Sequence, residues 1–364
     1  MSWKLLKTRT MPVGIDVGTG SVKLAQLRRT QTELELSAVA SSRMPGPCRS
    51  DPQARLAFLA QSLPAMLQAG GFRGRECVLS LPATETFVQH VKIAKMPPGA
   101  ITDALRAELQ GKSPFDPADA VIRHVVAGET YGDGDVGLEV IVLAAARSVI
   151  EGYLNVARKA RLQVKALNVE PCAILECFAR LFQREGDGEK ATLFLDLGSG
   201  VTQVVVAHGA KLVFARNVAL GAEKWERAMG SILGMTMEEI QEARLAEALA
   251  QAPSAEADRL YEAMGGMLSA MGEEISRCLR YYESVFPSRP VERVVFLGGQ
   301  ASDRRLCQRL AQRLNLPAQI GDPLARIRSS RSAAEEGRLD RRYPQPAWAV
   351  AVGLSLGADS PPAA

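Results

Sequence analysis

Residues 13–23 read VGIDVGTGSVK. An apolar run from Val13 to Val17 carries one acid, Asp16. It then meets a turn of small residues, Gly18-Thr19-Gly20-Ser21, before a second strand-like run that begins with Val22 and Lys23. Such a turn serves either of two ends. It closes a hairpin, where glycines relieve tight backbone geometry. Or it lets backbone N–H groups approach phosphate oxygens without interference from a Cβ, with the Thr19 hydroxyl as a further donor. The strand-like VKLAQL that follows excludes a dinucleotide fingerprint, which needs a helix there. Gly111-Lys112-Ser113 resembles the end of a P-loop, but Arg106 stands where that motif needs its first glycine, and Pro114 follows at once.

The opening stretch recurs about half a chain later as Asp196-Leu197-Gly198-Ser199-Gly200-Val201-Thr202. Acid, apolar residue, glycine, hydroxyl and glycine keep their order, and each copy ends one apolar strand and opens another. A spacing this long is no solenoid repeat and implies two related lobes. An acid at each strand end suits Mg²⁺ held through water, because that ion gives up its hydration shell reluctantly. Lys23 either adds positive charge to the turn or points to solvent from an edge strand. A third segment, VVFLGGQAS (294–302), runs an apolar strand into Gly298-Gly299 and then a helix. Its bare backbone either lies flat against an adenosine or serves helix–strand packing. A fourth, Asn168-Val169-Glu170-Pro171, places Glu170 at a helix start. There it either orients an attacking water or answers the helix dipole.

The rest of the 364-residue chain is compatible with two or three domains. The composition is 47% hydrophobic and 23% charged, with only 5% aromatics, so the core rests on Leu, Val, Ala and Ile. The six cysteines form no CxxC pair and read as reduced core residues, and the three scattered histidines argue against zinc. Neither a signal peptide nor a transmembrane run is expected. The net charge of +4 is partly local, in Met1–Thr10 and in the six arginines of Arg326–Arg342. These are either a solvated terminus and loop or contacts to an anionic membrane surface. Nucleic acid is not expected, since no basic stripe with interleaved aromatics appears. Periodicity predicts strands over 12–17, 21–28 and 33–40 and a helix over 51–68. A mixed strand–helix block follows, in which TYGDGDVG (130–137) is read as a loop. After a linker at 184–190 come more strands and a largely helical stretch over about 223–290.

As an ordered set, these motifs resemble the actin-like ATPase superfamily. Asp16–Lys23 is similar to its first phosphate loop, Glu170–Pro171 to its connecting segment, Asp196–Thr202 to its second phosphate loop and Leu297–Ala301 to its adenosine segment. Within the superfamily the chain most resembles the PilM family of type IV pilus assembly proteins, relatives of the cell-division protein FtsA. The closer similarity is carried by GIDVGTGSVKLAQL, by residues 81–119 and 195–229, and by FLGGQASDRRLCQRLAQRLNLPAQIGDPLARI.

The resemblance implies an α/β, two-lobed actin-like fold with an inserted subdomain of the FtsA/PilM type. The first lobe would span 1–76, completed by 164–188 and 344–358, with the insert at 77–163 and the second lobe at 189–343. It implies ATP with Mg²⁺ in the cleft. Asp16, Gly18, Thr19, Gly20, Ser21, Lys23, Gly198, Ser199, Gly200 and Thr202 would serve the phosphates. Glu223, Lys224, Gly298 and Gly299 would serve the nucleoside, Asp16 and Asp196 the metal, and Glu170 and Asp196 any slow hydrolysis. It also implies a cytoplasmic scaffold under the inner membrane, with indirect or peripheral membrane contact. Its partner would be the N-terminal cytoplasmic peptide of a PilN-like protein, bound near the insert, and self-association is a further possibility. The competing functions are a small-molecule kinase, for which no extra catalytic acid is visible, a chaperone-like ATPase, for which no peptide-binding domain follows, and a nucleotide-free interaction protein of the same fold. Two departures stand out. Lys159-Ala160-Arg161-Leu162 replaces a glycine-containing turn, and Leu220-Gly221-Ala222 carries one glycine where two are common; a displaced helix there would weaken nucleotide binding.

Overall fold

The computed structural model describes residues 8–31, 33–132, 135–181, 186–249, 254–329 and 339–357. The opening run folds as a meander of β1 (Arg9–Val17), β2 (Ser21–Arg29) and β3 (Leu34–Arg43). Val13, Ile15 and Val17 on β1 and Val22 and Leu24 on β2 are fully buried. Helices α1 (Gly46–Ser50) and α2 (Pro52–Ala69) follow, then β4 (Glu76–Ser80), which pairs parallel to β1. Asp51 caps α2 by accepting the Gln53 N–H at 2.8 Å.

The next elements are β5 (Phe87–Ala94), α3 (Pro98–Glu108), β6 (Ala120–Gly132), β7 (Asp135–Ala146), α4 (Arg147–Lys159), β8 (Gln163–Asn168) and α5 (Glu170–Ala179). The second half opens with another meander, β9 (Ala191–Leu197), β10 (Thr202–His208) and β11 (Lys211–Val218). Four helices come next: α6 (Ala222–Leu233), α7 (Met237–Leu249), α8 (Ala255–Ala263) and α9 (Gly265–Val285). The chain closes with β12 (Val291–Leu297), α10 (Arg304–Leu314), β13 (Ala318–Ile320), β14 (Ile327–Ser329) and α11 (Ala349–Leu356).

Three sheets result, ordered β14-β3-β2-β1-β4-β8, β11-β10-β9-β12-β13 and β5-β7-β6. The first two share one plan: a three-stranded antiparallel meander with a parallel strand beside its first member. The duplication extends to register, because Asp16 faces Lys23 and Asp196 faces Gln203. Between the two sheets lie α5 and α11, whose buried Ala173, Ile174, Val350 and Leu354 belong to a core spanning both halves.

Within the 77–163 span, only β5, β6 and β7 make the separate small sheet, with α3 packed on it. β4 is hydrogen-bonded into the first sheet, and Tyr153, Val156 and Ala157 of α4 pack in that sheet's core. One face of the small sheet is covered by Ile101 and Leu105 of α3. Its other face meets the second lobe, where the His90 ring stacks on Phe214 with centroids 4.5 Å apart. The Ala215 N–H donates to His90 Nε2, so the ring proton sits on Nδ1, which donates to the buried Glu139 carboxylate at 2.7 Å. The expected loop at 130–137 is instead mostly strand: Thr130 pairs with Gly137 and Tyr131 with Val136. Glycines and aspartates hid the two-residue alternation there. Of the Arg-rich segment, residues 330–338 lie outside the described residues. Of its other arginines, Arg328 pairs with Glu33, Arg341 donates to the Leu324 and Ile327 carbonyls, and Arg342 pairs with Asp340. Among the described residues, no helix is long and apolar enough to cross a membrane.

Candidate functional site

The two glycine turns close alike and then meet. In the first, the Gly18 N–H donates to the Ser21 carbonyl at 3.0 Å; in the second, the Gly198 N–H donates to the Val201 carbonyl at 3.1 Å. Across the lobes, the Gly200 N–H donates to Thr19 Oγ1 at 2.9 Å. A Cβ added at Gly20 would stand 2.8 Å from Ser199 Cβ, and one at Gly200 would stand 2.9 Å from Thr19 Oγ1. Glycine is required at both positions because the turns touch.

Beside this contact lies a cavity of about 390 Å³. Gly18, Thr19, Gly20 and Ser21 line one side, and Gly198, Ser199 and Gly200 the other. Asp16, Lys23, Glu170 and Asp196 form its floor, and Gly298 and Gly299 its far end. Lys23 therefore faces the cleft rather than solvent: Nζ is 3.6 Å from Asp16 Oδ2. At Gly298, φ is +86°, and any side chain would strike the Asp196 carboxylate and the Leu197 backbone.

Three expected residues lie elsewhere. The Thr202 hydroxyl is buried and donates to the Leu220 carbonyl at 2.7 Å, holding the loop before α6. Glu223 and Lys224 miss the main cleft and line a separate cavity of about 300 Å³ beyond the Thr19–Gly200 contact. The reason is helical geometry: each residue turns about 100°, so Ala222 and Glu226, one turn apart, face the cleft while 223 and 224 rotate away.

The structure adds residues that the motifs did not single out. Gln203 donates through Nε2 to Glu170 Oε2, while its buried Oε1 has no partner. Glu170 also accepts the Ala83 N–H at 3.3 Å through Oε1. At the far end, the Glu226 carboxylate accepts Arg244 Nη1 and Gln241 Nε2, both at 2.8 Å. Arg244 also reaches Asp303 at 3.4 Å, while its buried Nε lacks a partner. Arg43 of the first lobe donates to Gln241 Oε1 at 3.2 Å and so spans the mouth. Gln203 was findable, since the repeat places it where the first copy has Lys23. The Gln241–Arg244 pair on α7 lay outside every motif.

Burial dominates the electrostatics. It raises the Asp16 carboxyl despite the nearby Lys23 ammonium. It pushes Asp196 up to about 7, helped by the Asp16 charge. It holds Glu170 well above the usual carboxylate range, with Asp16 and Asp196 adding to the effect. A folded chain with these raised values keeps protons that an unfolded chain releases. The contribution of Asp196 to stability is therefore full below the ordinary Asp value of 3.8 and is lost as pH rises through about 7, and Asp16 and Glu170 act in the same direction. Without divalent cations, the urea midpoint should be lower at pH 8 than at pH 6, and Asp196→Asn should flatten that difference. Equal midpoints for the unsubstituted chain would contradict the assignment.

The donor set suits a hydrated hard cation. Among the described residues, no three His, Cys, Asp or Glu side chains converge closely enough to grip a metal directly. Asp16 and Asp196 instead present carboxylate oxygens from opposite strand ends, and the orphaned Gln203 Oε1 is a further acceptor for a coordinated water. The site can hold a polyanion by backbone N–H groups, balanced by a cation and Lys23.

A family model described as type IV pilus assembly protein PilM matches residues 14–358. Among solved structures, a chain of the PilM-PilN type IV pilus biogenesis complex superposes with a TM-score of 0.78 at 22% identity, covering 96% of this chain and 99% of that one. The ethanolamine utilization protein EutJ from Carboxydothermus hydrogenoformans superposes at 0.55 and 13% identity, covering 96% of this chain and 89% of its own. The architecture is thus the two-lobed actin-like ATPase fold with an inserted FtsA/PilM-type subdomain. The chain belongs to the PilM family of type IV pilus assembly proteins.

Proposed function

We propose that the protein is a nucleotide-dependent scaffold in type IV pilus assembly. It holds Mg·ATP between its lobes and engages the N-terminal cytoplasmic peptide of a PilN-like inner-membrane protein. The observation that carries this reading is the meeting of the two duplicated glycine turns, with the Gly200 N–H already donating to an oxygen of the opposite lobe. The backbone N–H groups of both turns would hold the phosphates, with Lys23 adding charge. Asp16 and Asp196 would hold Mg²⁺ through its waters, and the ion would neutralise phosphate charge. Glu226, Gln241 and Arg244 line the end that would take the nucleoside.

Glu170 fits slow chemistry. A general base must be ionised, and burial beside two aspartates holds this carboxyl well above the usual carboxylate range, which disfavours the ionised form. Nucleotide occupancy, rather than turnover, then sets the angle between the lobes. That state is communicated by groups already bridging them: Gln203 with Glu170, Arg43 with Gln241, and Asn217, which donates to the Ala83 carbonyl at 2.9 Å. The last contact lies just ahead of β5, so it joins the cleft to the small sheet.

A labelled N-terminal peptide of the PilN-like partner tests this reading. Its affinity is expected to change at least fivefold when Mg·ATP is added, since coupling free energies between sites commonly reach that size. Identical affinity with and without the nucleotide would leave a nucleotide-indifferent interaction protein.

A further inference from the structure

The end of the first lobe opposite the cleft carries a charge pattern that the cleft does not explain. β1, β4 and β8 run parallel, so their first residues share one edge of the sheet, while Asp16 and Asn168 lie at the other. Two turns feed that far edge. One, before β4, carries Arg73 and Arg75; the other carries Arg161 and joins β8 to α4, whose last turn holds Arg158 and Lys159. Lys165 follows on β8. All six side chains are exposed. Glu76, the acid among them, is taken by Lys165 at 3.2 Å. Among the described residues, Arg73, Arg75, Lys159 and Arg161 have no carboxylate partner.

The turns join around one hollow of about 650 Å³, where Arg75, Lys159 and Arg161 rim apolar Leu67, Phe72 and Leu162. Arg161 stands at a backbone position that disfavours it. α4 ends in a motif where the Leu162 N–H returns to the Ala157 carbonyl at 2.9 Å, and Arg161 sits just past the cap with φ +57°. Glycine occupies this position without strain, and a side chain there is retained against a conformational cost. The arginine stands two residues after Lys159 and enlarges the same cluster.

We propose that this face docks on an anionic lipid bilayer. Clusters of four to eight exposed basic residues bind anionic headgroups without needing shape complementarity. Docked this way, the chain turns its cleft away from the membrane.

The test is co-sedimentation of the full chain with vesicles of phosphatidylcholine alone or mixed with phosphatidylglycerol. Binding should require phosphatidylglycerol and weaken with salt. It should fall on the order of a hundredfold in the variant Arg75→Glu/Lys159→Glu/Arg161→Glu. Charge reversal in the basic groove of the second lobe, Arg277→Glu/Arg280→Glu/Arg313→Glu, should leave it nearly unchanged. Arg161→Gly separates a lipid role from a structural one: it should raise the melting temperature while lowering vesicle binding. The proposal is overturned by equal binding to neutral vesicles, by full binding of the first triple variant, or by preferential binding of poly-glutamate, which would make the face a site for an acidic protein.

Discussion

Asp16→Ala and Asp196→Ala are each expected to weaken Mg·ATP binding on the order of 10- to 100-fold, the usual cost of removing a group that holds a metal through its outer shell. Both acids end the first strand of a duplicated meander, and both reach the same cavity. Their burial is costly without a counter-charge: three carboxyls share a space with one lysine, and Asp16 and Asp196 each raise the Glu170 pKa. A cation relieves that repulsion, so binding Mg·ATP should release protons near neutral pH. Calorimetry in buffers of different ionisation enthalpy reads both quantities. Unchanged affinity in both variants would contradict the role given to these strand ends. Asp196→Asn guards against a folding artefact, because it should stabilise the cation-free chain at pH 8 while weakening the nucleotide.

The second large effect concerns the helices under the cleft. Gly353→Ala is expected to cost about 3 kcal/mol, the upper range for overpacking a tight interior. α11 lies against α5 so closely that a Cβ at Gly353 would overlap the Ala173 carbonyl. Gly14 on β1 is held in the same way by the Ala351 carbonyl. Backbone cannot yield as a flexible side chain can, so the helices must separate. Ala347 and Val350, which line the cleft, would move with them. Gly266→Ala is the control: it lies in α9 with open space around its would-be Cβ and should stabilise by up to about 1 kcal/mol. Urea denaturation checks both, and a loss below about 1 kcal/mol for Gly353→Ala would show that the helices can shift freely.

The duplication was legible because each turn is local. Glycines, a hydroxyl and an acid fall within a few residues, and the strands on either side follow from apolar runs. The floor of the cleft followed as well, since Asp16, Glu170 and Asp196 stand at element boundaries that sequence marks clearly. What failed depended on angles. Whether residue 222, 223 or 224 faces the cleft turns on the phase of α6, fixed by the Gly221 backbone packed against Ser199 and Gly200. Thr202 also carries a hydroxyl close to the turn, but its direction is set by the Leu220 carbonyl across the hairpin. Gln203 was one comparison away: laying the second meander on the first puts it opposite Asp196 as Lys23 is opposite Asp16. Arg244 and Gln241 could not be found this way, because α7 has no counterpart in the first half. The small sheet was half legible. Its strands alternate, yet the His90–Glu139–Tyr281 cluster that seats it on the second lobe joins residues far apart in the chain.

Equilibrium dialysis of the chain against Mg·ATP tests whether the two glycine turns and their acids hold the nucleotide between the lobes. One saturable site per chain is expected, requiring magnesium and lost in the Asp16→Ala, Asp196→Ala double variant. No saturable binding, or binding that survives the double variant unchanged, would contradict it.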